Sequence, residues 1–135
     1  MTSQSERNLY VLDTHVLIWY FIGNSRLSEE LKDLIDGCRQ RSGRLLVPTI
    51  VLAEALNIAE KGKVALDFAE LYRLVQSESE FEIVGFGSEV FEKTMQIQDV
   101  REIHDRIITA TASYYGAGVL TQDKIIRASY EVDTP

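Results

Sequence analysis

Apolar residues in this chain come in short runs divided by polar stretches, and the runs alternate between two periods. The segment "NLYVL" is brief and rich in β-forming side chains, so it reads as a strand, while "VLIWYFIG" beyond Asp13 is long enough for a buried helix stopped by Gly23. Next, "LSEELKDLIDGCRQRSG" sets Leu31, Leu34 and Ile35 at helical spacing behind Ser28 as N-cap, with Glu29 and Glu30 in the first turn. "RLLVP" reads as a second strand. Thr49 is expected to cap the helix "IVLAEALNIAEKG", apolar around most of its circumference and stopped by Gly62. The amphipathic "VALDFAELYRLVQSE" should pair with it as a helical hairpin. Further on, "FEIVGF" fits a third strand, "GSEVFEKTMQI" a helix capped by Ser88, and "IHDRIITATASYYG" a helix ending at Gly116. "AGVLTQD" fits a short strand, and "KIIRASYEVDTP" a short helix followed by a final edge strand.

This alternation predicts an α/β protein with a parallel sheet covered on both faces and joined by right-handed crossovers. Ligands in such sheets bind beyond the carboxyl ends of the strands, where the strand order reverses. The 135 residues suit one domain spanning 1–135, with residues 1–8 as a polar N-terminal tail. Cys38 is the sole cysteine, which excludes an internal disulfide or a cysteine-rich zinc cage. Without an apolar signal core or a membrane-length apolar run, a cytoplasmic protein with no membrane contact is expected.

Charge narrows the function. Fourteen Lys and Arg against twenty-one Asp and Glu give a net charge of −7, which argues against nonspecific coating of nucleic acid. The basic residues that remain candidates for gripping a polyanion are Arg39, Arg41, Arg44, Lys61, Lys63, Lys124 and Arg127.

The acids are more informative. Asp13 follows the first strand directly, in an otherwise apolar and aromatic run, and a carboxylate moved there without a partner costs several kcal/mol. Asp123 follows the "VLT" strand and Asp105 opens the "DRIITATA" helix, so all three fall on the strand-end, helix-start edge. Glu54, in the second turn of an apolar helix, has no obvious solvated face. Singly, Asp13 and Asp105 have ordinary roles at helix N-termini and Asp123 in a turn. Four carboxylates on one edge repel one another unless protons, basic side chains or cations neutralise them. Oxygen-only donors favour a hard ion, Mg²⁺ or Mn²⁺, whose open positions suit phosphate oxygens and phosphodiester chemistry. His15 and His104 each neighbour an acid, but adjacent helical residues point in different directions, so both read as helix-end or surface residues.

In "VLDTHVLI", "LAEALNIAEKGK", "IHDRIITATA" and "LTQD", in that order, the sequence resembles the PIN-domain nucleases, and among them the VapC-type toxins of toxin–antitoxin pairs. The resemblance implies a three-layer α/β/α sandwich with a short central parallel sheet. It implies a metal-dependent endoribonuclease, the toxin of a type II toxin–antitoxin system, with RNA as substrate, a cognate antitoxin protein as partner and a homodimer as assembly. The family's acidic quartet falls on Asp13, Glu54, Asp105 and Asp123, which would hold Mg²⁺ or Mn²⁺. Thr121 matches a supporting Ser or Thr, Thr14 a small polar position, and Arg106 a basic residue expected to pair with an acid. His15 departs from the Asn or Ser frequent there.

Two other functions compete. One is a non-catalytic PIN-like protein-interaction module, which need not bind Mn²⁺. The other is an acidic α/β phosphate enzyme of the haloacid dehalogenase or receiver type. The dehalogenase pattern would set a second Asp two residues after the first, where His15 stands, and the receiver would end its third strand on Asp, which "FEIVGF" lacks. Trp19, Tyr20 and Phe21 are expected in the core rather than at an interface.

Overall fold

The computed structural model describes residues 8–135, so residues 1–7 of the expected tail lie outside the described residues. Strand β1 (Leu9–Leu12) leads through Asp13 into α1 (Thr14–Ile22), and α2 (Glu29–Gln40) into β2 (Arg44–Pro48). Helices α3 (Thr49–Lys61) and α4 (Phe68–Ser77) precede β3 (Phe81–Val84). Then come α5 (Ser88–Gln96), α6 (Ile103–Tyr115), β4 (Gly118–Leu120) and α7 (Lys124–Arg127). The strands form one parallel sheet in the order β3-β2-β1-β4, sandwiched between helices. This is the expected α/β/α architecture.

Register follows from burial. Val11 pairs with Leu46 on one side and Val119 on the other, and Leu12 pairs with Leu120, all essentially inaccessible to solvent. With both sheet faces covered, the strands carry apolar residues continuously rather than alternately. Leu17, Ile18, Ile35, Leu71, Ile108 and Ile126 close over them from the helices, and full burial of each such side chain contributes roughly 1.5–3 kcal/mol. Because β2 lies on one side of β1 and β4 on the other, the strand order reverses at β1, and a crevice opens beyond its carboxyl end.

Helix stops behave as expected: Gly23, Gly62 and Gly116 terminate α1, α3 and α6 at φ of 69°, 71° and 66°, a conformation that glycine adopts without a Cβ penalty. The starts differ at two helices. Strand β2 runs straight into α3, so Pro48 occupies the N-cap and Thr49 is already helical. Gly87 likewise takes the N-cap of α5, and the Ser88 hydroxyl turns to Glu89 at 3.1 Å. Ser28 does cap α2, accepting from the Leu31 N–H.

The final edge strand is corrected. No strand follows α7 among the described residues; the tail instead meets β4 through a backbone bond from the Val119 N–H to the Asp133 carbonyl at 2.8 Å. It is tied down by side chains: Asp99 accepts from the Ser129 hydroxyl and the Tyr130 N–H, and Arg127 donates to the Pro135 carbonyl. Blunting an edge in this way removes a template for further strand pairing. Among the described residues, no helix is long and apolar enough to cross a membrane.

Candidate functional site

The crevice beyond β1 is a cleft of about 550 Å³ whose walls include Asp13, Glu54, Asp105 and Asp123. All four acids singled out in the sequence therefore meet, from β1, α3, α6 and the β4–α7 junction. No Lys or Arg lines the cleft among the described residues.

Asp13 is 8% exposed and fixed from two sides. As N-cap of α1 its carboxylate accepts from the Val16 N–H at 2.9 Å, and it also accepts from the Thr121 hydroxyl. Burial pushes its carboxyl above the ordinary range, the bonds from Thr121 and Val16 and the charge of His15 pull it back, and Asp123 pushes it up again. Thr121 is fully buried and serves both strand-end acids, because its oxygen accepts from the Asp123 N–H at 3.0 Å while donating to Asp13. Asp123 in turn caps α7, accepting from the N–H groups of Ile125 and Ile126.

Glu54 is half-buried and anchored by Thr14, whose hydroxyl donates at 2.6 Å. Thr14 thus links the first turn of α1 to the second turn of α3. Asp105 stands in the first turn of α6, and its carboxyl is raised from 3.8 to about 6 by burial first, then by the negative charges of Asp123, Glu102, Asp13 and Glu54.

Glu102 was missed by the sequence reading. It caps α6, accepting from the Asp105 N–H at 2.9 Å, and shares 2.9 Å with His104 Nδ1. Burial opposes its charge, but those bonds hold its carboxyl below the ordinary range. The signal was present in "EIHD", an acid three residues ahead of Asp105 at a helix start. His104 is a helix-end residue as expected; the bond to Glu102 raises its pKa, burial lowers it, and the charges of Glu54, Glu102 and Asp105 raise it further. Its Nδ1 lies 3.8 Å from Glu54.

The expectation for Arg106 fails: among the described residues it pairs with no acid, and its guanidinium donates to the Thr94 carbonyl at 2.9 Å and reaches the Met95 carbonyl at 3.5 Å, satisfying the end of α5. Arg39 bridges Glu78 and Glu80 and touches the Tyr20 hydroxyl, Arg44 pairs with Glu82, and Arg127 donates to the Thr121 carbonyl. Tyr20 bonds Asp36 at 2.6 Å, and Trp19, Tyr20 and Phe21 are partly buried, packed against the core without being sealed in it.

A hard cation suits this donor set. The cleft offers carboxylate oxygens, burial and then the neighbouring acids raise the Asp105 carboxyl to about 6, and no Lys or Arg lines the cleft among the described residues. The acids line the walls rather than converging into a closed cage; no group of three or more His, Cys, Asp or Glu is drawn together at ligand spacing among the described residues. Open spacing fits Mg²⁺ better than Zn²⁺, because Mg²⁺ keeps several waters and takes one or two carboxylates directly.

Replacing Thr121 by Val removes the donor to buried Asp13 and the acceptor for Asp123, and should destabilise the fold by about 1–3 kcal/mol in urea unfolding. Asp105 gives the pH dependence. Its carboxyl ionises near 3.8 when unfolded and near 6 when folded, so the folded state holds the proton more tightly. The stability this contributes is complete below the unfolded pKa and is lost as pH rises through the folded one. In EDTA, the urea midpoint of the wild type relative to Asp105→Asn should therefore fall between about pH 4 and about pH 6, whereas parallel curves would contradict the assignment.

The PIN domain family model matches residues 10–131 of the chain. Among solved structures, the chain is similar to VapBC2 from Rickettsia felis bound to a DNA fragment from its promoter, with a TM-score of 0.73, 15% identity, and coverage of 94% of this chain and 97% of that one. It is similar to PAE2754 from Pyrobaculum aerophilum, with a TM-score of 0.56, 19% identity, and coverage of 96% and 85%. The T. brucei RRP44 PIN domain matches with a TM-score of 0.54, 12% identity, and coverage of 96% and 76%. No curated protein sequence matches. At these identities the structural likenesses speak for the fold, and the family model, spanning β1 to beyond α7, decides the family: the chain belongs to the PIN domain family.

Proposed function

We propose that this chain is a Mg²⁺- or Mn²⁺-dependent endoribonuclease that hydrolyses RNA phosphodiester bonds. The observation that carries the reading is the gathering of Asp13, Glu54, Asp105 and Asp123 in one cleft without a neighbouring Lys or Arg. A polyanion enters such a cleft only with a cation. When bound there, the metal would supply positive charge against the scissile phosphate and make water more acidic.

The chain's residues would hold and orient the metal. Asp13, kept rigid by Thr121 and the start of α1, and Glu54, kept rigid by Thr14, are the best-fixed ligands. Asp105 and Asp123 would ligate directly or through water, Asp123 being oriented by the N-terminus of α7. Thr121 is a positioning residue, acting through the two aspartates it bonds. Asp105 must lose its proton to contribute charge, which favours neutral over acidic pH.

The likeness to VapBC2 supports a finer reading, in which residues 1–135 form a single cytoplasmic domain acting as the toxin of a type II toxin–antitoxin pair, homodimeric and held by an antitoxin protein. A second reading, a non-catalytic PIN-like interaction module, is favoured by one observation, the lack of a converged ligand cluster among the described residues. Metal titration separates the two, since an inert module need bind no Mn²⁺.

In an assay of a mixed RNA pool, cleavage should require Mn²⁺ or Mg²⁺ and stop in EDTA. Asp13→Asn should lower it by at least about 100-fold while leaving the circular dichroism spectrum intact. Undiminished Mg²⁺-dependent cutting by that variant would refute the proposal.

A further inference from the structure

The cleft is larger than a phosphate group needs, and one of its walls is aromatic. Its volume of about 550 Å³ lies within the range of sites for whole small molecules. His15 and Trp19, one helical turn apart on α1, both line it. Trp19 is partly buried while Val16, Leu17 and Ile18 of the same helix are sealed in the core, so one side of the indole rests on the core and another borders the cleft. The His15 ring lies 5.5 Å from it, tilted by 49°. Asn57 and Ile58, on α3 beside Glu54, line the same space. Asn57 carries an amide with donors and an acceptor. The Gln122 amide, by contrast, is engaged on both sides: it accepts from the Ser28 N–H and donates to the Arg26 carbonyl, tying the α1–α2 turn to the acid-bearing loop.

We infer that Trp19 is a stacking platform for one unpaired nucleobase adjacent to the bond that is cut, with Asn57 at the base's polar edge. This rests on the nuclease reading and deepens it, for it names the side chain against which a substrate base would rest. A base in a duplex is stacked on its neighbours and its faces are closed to protein; a single-stranded base offers a free face, and aromatic side chains take it with little regard to sequence. No Lys or Arg lines the cleft among the described residues, and Arg39, Arg44 and Arg127 are engaged within the fold. An aromatic face needs no positive charge and suits an acidic cleft.

Trp19 is the only tryptophan in the chain, so its emission reports on this wall alone. The experiment titrates the full chain with a short single-stranded oligoribonucleotide, Ca²⁺ replacing Mg²⁺ so that binding is read without turnover. A hairpin duplex of the same composition runs in parallel. Saturable quenching by the single strand and none by the duplex is expected. With a dye-labelled oligomer, Trp19→Leu should weaken binding about 5- to 150-fold and Trp19→Phe less, and in Mg²⁺ the loss should fall on KM rather than kcat. Binding without quenching, or wild-type affinity and KM in Trp19→Leu, overturns the inference.

The two readings fail separately. Cleavage with a silent Trp19 leaves the nuclease standing and removes the platform, whereas quenching without metal-dependent cleavage keeps the platform and removes the nuclease. An oligomer neither bound nor cut overturns both.

Discussion

Like charges held together at the end of a parallel sheet set the terms for this molecule. The chain order brings β1 and β4 side by side, so the acids that follow them, Asp13 and Asp123, emerge into one crevice, and α3 and α6 deliver Glu54 and Asp105 to its other walls. Helix starts favour Asp13 and Asp123 singly, but the mutual repulsion of four carboxylates in one cleft opposes folding. Burial first, and the charges of Asp123, Glu102, Asp13 and Glu54 after it, raise the Asp105 carboxyl to about 6.

The compensation available within the chain is short-range and directional rather than cationic. Thr121 bonds both strand-end acids, Thr14 bonds Glu54, and the starts of α1, α6 and α7 each give backbone N–H groups to an acidic cap, at Asp13, Glu102 and Asp123. Each bond to a charged group is worth about 1.5–3 kcal/mol, enough to fix a carboxylate's position but not to cancel its charge. Hydroxyls and amides therefore orient the site, and neutralisation is left to what enters it. Cations are spent on architecture instead: Arg39 ties α2 to the segment before β3, and Arg106 closes the end of α5.

Much of this was legible in the sequence. "VLD" and "VLTQD" announce strands ending in acids, glycines mark helix ends, and the anomaly of Asp13 in an apolar run points straight to the cleft. What escaped depends on contacts between distant segments. The Arg39 bridge spans about forty residues, and Arg106 reads as an acid's partner only until α5 is seen to end beside it. Cap positions at Thr49 and Ser88 slipped by one residue because β2 continues directly into α3 and Gly87 takes the cap of α5, a shift that propensity does not encode. The last strand failed for a different reason: "SYEVDTP" has the right composition, yet side-chain anchors at Asp99 and Arg127 fix the segment beside β4 without a strand ladder.

Whether repulsion in the cleft is relieved by a hard dication is tested most directly by thermal unfolding with Mn²⁺ and with EDTA, at about pH 7.5 and about pH 5. Binding to the folded state alone raises the melting temperature. The account requires a clear rise with Mn²⁺ at the higher pH, shrinking at the lower one as Asp105 takes up its proton. An unchanged melting temperature at about pH 7.5, or a rise of equal size at both, would contradict it.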